Sequence, residues 1–480
     1  MHRALLLPEI VAAIIKSNSG EPGYLHTCLF INRLFWEEAC RILWYGCGSR
    51  YNSATAGHVT PGIRQLAEIS QRSRQRAQLY ANFVNILDFS EPQESWPYGD
   101  EARWHGDLSC LQFPQLQEAR FSPSDEATSL NKGEVVIRYA QPSLSEFGCE
   151  AGSEFSDNTL DELRTRCPKL KHLSLASITN TLTQDGLLRF LRTFDSLQYL
   201  KMQIGTRDLW TRDTFLAVGQ YAGLELLDLP VIEDEWIQGQ ETLFPALKHL
   251  YTDISASGLS LLNRHVPSLV TLHARLTSPC TSLDTLARFQ RLEDLVVKFD
   301  NGGGFKGAEL LLIAENCPEL QCIELGADGA GPHAEGLDDS MMERIAHSLP
   351  NIKEFKLCHV DMGVKPLTLR TIESLGRHCP NLKQLALSSI SVDWKDGDGI
   401  ISNSIWNLEL ESGRNETLLW PDDYDADHGD GAHASKEDIA EMANHFAHRL
   451  PSMTFFALSG GGEGEELLNE NLDDIILERW

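Results

Sequence analysis

Side chains able to hold a charged group recur through the middle of this chain, about one per short apolar segment. His249, Tyr251, His273, Arg275 and Lys298 stand in successive segments, with Lys201 before them and Lys356 after them. The chain has 41 Lys and Arg against 69 Asp and Glu, a net charge of −28. On so acidic a background a basic and aromatic cluster points to a phosphorylated or acidic segment of a protein partner. Asp228, Asp253 and Glu324 interrupt the cluster, so ordinary polar surface is the competing reading.

Other groups fall short of chemistry. Asp422 to His433 is dense in acids. Counting from Asp423, however, position six is His428 and position twelve is Ala434, where a calcium loop needs Gly for its turn and Glu for its bidentate ligand. The stretch is expected to be a solvated insertion, residues 411–436. Gly302–Gly304 lacks a following Lys-Ser/Thr, and Glu463, Glu465 and Glu466 beside Gly460–Gly464 would repel phosphate. Both are expected as loops after strands. Cys317 and Cys322 have four residues between them, and no CxxC or His-bearing spacing supports zinc. None of the 16 histidines pairs with a nucleophile at a recognisable spacing. A binding protein with no catalytic residue, metal or cofactor is expected.

The elements that position these residues are announced by a repeated phrase. Cys167-Pro-Lys-Leu-Lys-His-Leu-Ser-Leu175 returns as Cys317-Pro-Glu-Leu-Gln-Cys-Ile-Glu-Leu325, Leu349-Pro-Asn-Ile-Lys-Glu-Phe-Lys-Leu357 and Cys379-Pro-Asn-Leu-Lys-Gln-Leu-Ala-Leu387. Clear units begin at Leu170, Leu197, Leu224, Leu247, Leu269, Leu292, Leu320, Ile352 and Leu382, and weaker ones at Leu116, Leu144, Ile405 and Met453. Val84–Phe89 is a candidate opening strand. Intervals of roughly 22–32 residues overlap the leucine-rich-repeat range. Each phrase reads L-x-x-L-x-L, a strand alternating apolar and outward residues.

Helical patterns lie between, at Leu160–Arg166, Gly186–Thr193, Thr214–Tyr221, Leu259–Val266, Ala308–Asn316, Asp339–Ser348 and Leu369–His378. Ser156, Asp213, Thr281 and Ser435 are candidate caps. The expected fold is an α/β solenoid: a leucine-rich-repeat horseshoe with parallel strands on its concave face and helices outside. A small all-helical segment precedes it. The residues between the repeat leucines then face the concave side.

Eleven cysteines, an odd number, fit small hydrophobes packed between layers, as at Cys167, Cys317 and Cys379 before Pro. The apolar run at Met1–Pro8 is too short for a signal peptide and no segment approaches 18 apolar residues. An intracellular protein, cytoplasmic or nuclear or both, with no membrane association is expected. Net charge argues against nucleic acid. The charge is uneven. Residues 1–80 hold nine Lys/Arg against five Asp/Glu, and residues 391–480 hold five against twenty-one.

The N-terminal segment stands outside the repeats. Leu5–Ile15 is apolar and helix-like, Gly20–Gly23 is a turn, and Leu25–Trp36 and Ala39–Trp44 carry many large apolar side chains. Three short helices cannot bury them all, so the excess is expected to face a partner, with Trp36 and Trp44 as anchor types.

Leu6-Leu-Pro-Glu-Ile10, Leu25, Cys28-Leu29, Asn32-Arg33, Phe35-Trp36 and Leu43-Trp44 together resemble an F-box. With the repeats, the chain resembles a fungal-type F-box and leucine-rich-repeat protein. Leu7 stands where that motif usually has Pro, with Pro8 one place later. Such proteins are substrate receptors of Skp1-cullin-F-box ubiquitin ligases. The resemblance therefore implies docking to a Skp1-like adaptor, and through it to cullin, by Leu6, Leu7, Pro8, Ile10, Ile14, Leu25, Cys28, Leu29, Arg33, Phe35, Trp36, Leu43 and Trp44. It implies a protein substrate on the concave face. The alternative is a repeat scaffold whose N-terminal helices only cap the solenoid.

The expected organisation is an F-box-like domain at 1–50 and a helical linker with the first strand at 51–110. Repeats follow at 111–462 and an acidic tail at 463–480. The tail is expected to cover the last apolar layer.

Overall fold

Cys-Pro-x-Leu makes a turn before it makes a strand. In the computed structural model Leu170 donates its N–H to the Cys167 carbonyl (3.2 Å), and Leu320 to Cys317 (3.2 Å) and Leu382 to Cys379 (3.1 Å) repeat the bond. Pro in the second position presets φ for such a turn and cannot continue the helix before it. Ile352 bonds to Leu349 in the same way (3.3 Å). The turn delivers an apolar side chain inward. Leu116, Leu144, Leu170, Leu197, Leu224, Leu247, Leu269, Leu292, Leu320, Ile352, Leu382 and Ile405 are all fully buried.

Two residues later the strand begins, and its register is set by one carbonyl per repeat. Ser145 accepts the N–H groups of both Lys171 (2.8 Å) and His172 (3.0 Å). Glu293 accepts those of Gln321 (2.7 Å) and Cys322 (3.0 Å), and Gln321 those of Lys353 (2.7 Å) and Glu354 (3.0 Å). The second and third apolar residues of each phrase, such as Leu173 and Leu175 or Leu295 and Val297, are buried between neighbours.

The structure describes residues 7–18, 23–48, 61–89, 100–121, 137–149, 155–176, 182–194, 196–203, 205–279, 282–300, 303–327, 331–361, 367–388, 405, 407–411, 449–450 and 455–459. The chain divides into two compact units, 1–230 and 231–480.

The first unit opens with helices α1 (Pro8–Ser17), α2 (Tyr24–Cys28) and α3 (Arg33–Leu43), followed by strand β1 (Gly46–Gly48), α4 (Ile63–Arg72), α5 (Arg74–Ala81), β2 (Ile86–Phe89), α6 (Asp100–Leu108), β3 (Glu118–Phe121) and β4 (Glu146–Cys149). It continues with α7 (Asp157–Arg166), β5 (His172–Leu175), α8 (Gln184–Leu191), β6 (Tyr199–Met202), α9 (Arg212–Gly219) and β7 (Leu226–Ile232). Its strands pair in parallel in sequence order.

The second unit has α10 (Asp234–Ile237), β8 (His249–Ile254), α11 (Ala256–Leu262), β9 (Thr271–Leu276), β10 (Asp294–Phe299), β11 (Gly304–Lys306), α12 (Gly307–Asn316), β12 (Cys322–Gly326) and β13 (His333–Glu335). Then come α13 (Asp339–Ser348), β14 (Glu354–Cys358), α14 (Leu369–His378), β15 (Gln384–Ser388), β16 (Asn407–Glu411) and β17 (Phe455–Ser459). The ladder β8-β9-β10-β12-β14-β15-β16-β17 is parallel throughout, and β11 pairs only with β13. Each unit is an α/β solenoid of the leucine-rich-repeat type.

Outside the sheets, an aspartate at the first position of one helix fastens the cap of the next. Asp157 accepts the N–H (2.9 Å) and hydroxyl (2.6 Å) of Thr183, which caps α8 through the Gly186 N–H (3.0 Å). Asp234 accepts from Ser255 (2.5 Å) and Ser257, and Ser255 caps α11. Asp339 accepts three bonds, from the Thr368 N–H (2.9 Å) and hydroxyl (2.7 Å) and from the Thr371 hydroxyl (2.7 Å). A carboxylate there sits at the positive ends of two helices at once. A Cβ at Gly186 would strike the Asp157 carboxylate, so the lock also dictates glycine.

The prolyl-turn thiols act as packing groups. Cys317 donates to the Phe289 carbonyl (3.4 Å) and Cys379 to the Ala346 carbonyl (3.5 Å), each reaching the preceding repeat. Burial pushes Cys167 and Cys317 up to about 11 and Cys379 up to about 12.

Some expectations shift. Five of the helices start one to three residues earlier than the periodicity indicates, because their caps precede the first apolar residue. Ser156 does cap α7, but α9 is capped by Thr211, with Asp213 inside its first turn. The ladder opens at Gly46–Gly48, ahead of the strand expected at Val84–Phe89, since the Tyr45 carbonyl accepts Asn85 (2.9 Å) and Ile86 (3.1 Å). Gly304, expected in a loop, lies in β11, where its missing Cβ lets the His333 carbonyl approach. Thr281, Ser435, the 422–433 acids, Gly460–Gly464 and the 463–480 tail lie outside the described residues.

Two outcomes are expected. Asp339→Ala removes three charge-assisted bonds and lowers unfolding stability by about 2–3 kcal/mol, measured by urea denaturation. The second concerns His105, buried against Phe89 (centroids 4.4 Å apart) and bonded through Nδ1 to the Tyr139 hydroxyl (2.9 Å). Burial, then the Arg138 charge, hold it down at about 4 from an ordinary 6.5. The folded chain therefore keeps it neutral while the unfolded chain takes a proton. Stability is full above pH 6.5 and falls as pH drops towards 4, by about 2 kcal/mol at pH 5 relative to pH 7. His105→Gln removes that share of the pH slope.

Candidate functional site

The head folds around one small core. Pro8 takes the first position of α1, where a missing N–H costs nothing. Val11 and Ile15 of α1 and Leu25 and Cys28 of α2 are buried, as are Phe35, Ala39, Cys40 and Leu43 of α3. Asn32 caps α3 by accepting the Phe35 N–H (3.1 Å). Trp44 is buried and stacks on Tyr80 of α5 (4.8 Å, 15°). Trp36 packs on Tyr80 (6.3 Å) and edge-on against Phe83 (6.1 Å). Trp44, expected as a partner anchor, thus helps hold the head on α5, while Trp36, expected as the other, packs on Tyr80 and Phe83 and stays half-exposed.

Of the docking residues named from the sequence, Leu25, Cys28, Phe35, Leu43 and Trp44 are interior and shape the head from within. Ile14 and Leu29 are half-buried, and Arg33 is exposed and paired with Glu37 (2.9 Å). Leu6 lies outside the described residues. Exposed apolar surface remains at Leu7 (50%) and Ile10 (36%), with Pro8 between them in sequence. Phe30 (88%) and Ile31 (48%) are exposed too, and sequence reasoning missed them. Asn32 as a helix cap was the available signal: it leaves the two preceding residues in a turn with no helical face to bury.

The sheet face of the second unit carries most of the other candidates. Ladder register places His249 opposite Thr271, Tyr251 opposite His273, Asp253 opposite Arg275 and Arg275 opposite Lys298. His249 Nδ1 lies 3.0 Å from the Thr271 hydroxyl, and the Tyr251 ring meets His273 edge-on at 4.6 Å. The expected basic cluster is present in place, but its charges are already engaged. Arg275 lies between Asp253 (3.8 Å) and Asp300 (3.7 Å), and Lys298 bonds Glu324 (2.5 Å). Lys356 bonds Glu354 (2.9 Å) and His273 bonds Asp294 (3.0 Å).

Burial pushes Asp294 up, but its bond to His273 and the charges of His273 and His249 outweigh that and leave it below the usual carboxylate range. Burial likewise draws Lys356 down, and Glu354 and Glu324 carry it above its ordinary value. Cys322, beside Asp294, is pushed up to about 12 by burial and by neighbouring carboxylates, too high for a thiolate nucleophile.

In the first unit Lys201 is half-buried between Ser174 and Asp228, and Asp228 accepts from Gln203 (2.7 Å). Arg120 is held by Glu118 (2.6 Å) and Glu146 (3.8 Å), and His172 by Glu146 (3.1 Å). Among the described residues no helix is long and apolar enough to cross a membrane.

No protein-family model matches the chain, and no curated protein matches it. Among solved structures it is similar to a chain of the yeast Rad7 and Elc1 complex, at 12% identity over 95% of this chain and 93% of that one, TM-score 0.46. It is also similar to the leucine-rich repeat-containing protein LegL7 from Legionella pneumophila, at 10% identity over 74% and 97%, TM-score 0.31. A chain of the TLR13–ssRNA13 complex is similar at 14% identity over 69% and 50%, TM-score 0.34. Strand register and the buried leucines carry the repeat assignment.

If the His–carboxylate pairs hold the sheet face, the lowered Asp294 and the lowered Glu146, bonded to His172, contribute stability above the ordinary carboxylate values. That stability is lost as pH falls through the depressed ones. His273→Leu should weaken this acid transition, read as a smaller change in melting temperature between pH 5 and pH 3 than in the wild type.

Proposed function

We propose that this chain is the substrate-recognition subunit of a Skp1-cullin-F-box ubiquitin ligase. Its N-terminal helices dock a Skp1-like adaptor and its repeat face holds a protein client. The observation that carries the reading is the head itself. It buries its own core on α3 together with Trp44, yet leaves Leu7, Ile10, Phe30 and Ile31 in solvent. Large apolar side chains left outside the core, Leu7 with Ile10 and Phe30 with Ile31, are the kind of surface a protein partner covers. The +4 balance of residues 1–80 on a chain of net −28 suits an acidic adaptor.

A receptor of this kind performs no bond chemistry. It makes the encounter between client and conjugating enzyme effectively intramolecular, raising the rate by proximity. The sheet face fits that division of labour, since burial pushes the Cys322 thiol up to about 12 and Lys298, Lys356 and His273 beside it are paired with carboxylates.

A second reading is favoured by Trp36 and Trp44 packing on Tyr80 and Phe83: the head then merely caps the repeats of a non-ligase interaction scaffold. Co-purification with a Skp1-like adaptor separates the two. Wild type is expected to retain the adaptor, and Leu7→Asp combined with Ile10→Asp to lose it at least about tenfold. Circular dichroism and melting temperature should be unchanged, because neither side chain belongs to the core. A wild-type protein that retains no adaptor contradicts the receptor reading and leaves the scaffold.

A further inference from the structure

We propose that the corner between α4 and α5 binds an acidic segment of a partner protein, one that carries several Asp or Glu side chains. The positive charge of the N-terminal part of the chain is gathered there and not on the head. Residues 7–48 hold three Lys/Arg against four Asp/Glu, and residues 61–83 hold four against one. The one acid, Glu68, is taken by Arg64 (2.9 Å). The other three cations, Arg72, Arg74 and Arg76, lie within six consecutive exposed residues, 71–76.

The corner is firmly held. Ser73 ends α4 by donating its N–H to the Ile69 carbonyl (2.7 Å), and starts α5 by accepting the Arg76 N–H on its hydroxyl (3.3 Å). Gln71 bonds the Asp107 carboxylate (2.6 Å), and Gln78 bonds both the N–H (2.9 Å) and the carbonyl (2.7 Å) of Gln112. Little backbone freedom remains to be lost on binding.

The three guanidiniums keep their charge uncompensated. Arg74 donates to the Cys110 carbonyl (2.7 Å) and Arg76 to the Tyr80 hydroxyl (3.4 Å), both neutral acceptors. Arg72 has no hydrogen bond or ion pair among the described residues. Exposed arginines elsewhere do find acids, as Arg33 finds Glu37 (2.9 Å) and Arg166 finds Glu162 (2.8 Å). On a chain of net −28, three neighbours without one leave room for acids from outside.

Their placement selects spaced carboxylates over a single phosphate. Arg74 reaches to the carbonyl beyond α6, Arg76 reaches along α5 to Tyr80, and Arg72 closes α4. They do not converge on one group, whereas acids spaced along a segment can meet each guanidinium in a charge-assisted pair. Leu79, exposed one turn beyond Arg76 on the same helix, offers that segment an apolar contact.

Fluorescence anisotropy of the full chain with a labelled, Glu-rich peptide of about ten residues with a single Leu tests this. The peptide is expected to bind, more weakly as salt rises. Arg72→Gln with Arg76→Gln should weaken it about fivefold at unchanged melting temperature, since both side chains are exposed. Arg207→Gln with Arg212→Gln, exposed on a later repeat, should leave binding as it is.

No binding by the wild type overturns the proposal, as does tighter binding of a peptide whose only charge is one phosphoserine. Equal loss in both double variants also overturns it, since the attraction would then be diffuse. The corner shares no residue with Leu7, Ile10, Phe30 and Ile31, so adaptor retention reports on the ligase reading separately and either can fail without the other.

Discussion

The bond on which the molecule depends is the carbonyl that closes each repeat onto the next. A single oxygen, such as that of Ser145, Glu293 or Gln321, receives two consecutive N–H groups of the following strand. That double acceptance fixes register at the first residue of the strand that follows. With side chains alternating at period two, a slip by one residue would carry each leucine of the phrase into solvent and each charge into the core. The buried leucine just before it, always two residues ahead of the strand, makes the slip costly. On the outer side the Asp157, Asp234 and Asp339 locks do the same for helix starts. Position along the solenoid is thus set twice per repeat, by sheet and by cap.

This is why so much of the fold can be read from the residues. Strand starts at 172, 199, 226, 249, 271, 294, 322, 354 and 384 follow from the leucine phrase alone, because burial and turn chemistry agree there. Gly46–Gly48 escapes such reading, since Gly-Cys-Gly has no apolar alternation and is a strand only because Tyr45 supplies the shared carbonyl. Thr211 displaces Asp213 as cap because Thr214, three residues on, can return its hydroxyl to the Thr211 N–H (2.7 Å), a reciprocity invisible in a list of cap types.

The sites are less legible for the same reason. Outward residues can be named strand by strand, but charge balance is decided across strands. Lys298 finds Glu324 because Gly326, its direct neighbour in register, offers no side chain. Only the ladder reveals that a basic cluster is a paired one. In the head, Trp36 and Trp44 have the composition of anchors, yet Tyr80 and Phe83, more than thirty residues later, claim them. Exposure falls instead on Phe30 and Ile31, in the turn ahead of Asn32.

Head and sheet thus offer opposite surfaces, the first apolar and unpaired, the second charged and internally paired. The most direct measurement of that division is hydrogen exchange of the whole chain with and without a Skp1-like adaptor. Slower exchange confined to residues 7–31, with the strands from β8 to β15 unchanged, is the predicted result. Unchanged exchange at residues 7–31, or protection on the strands alone, would contradict it.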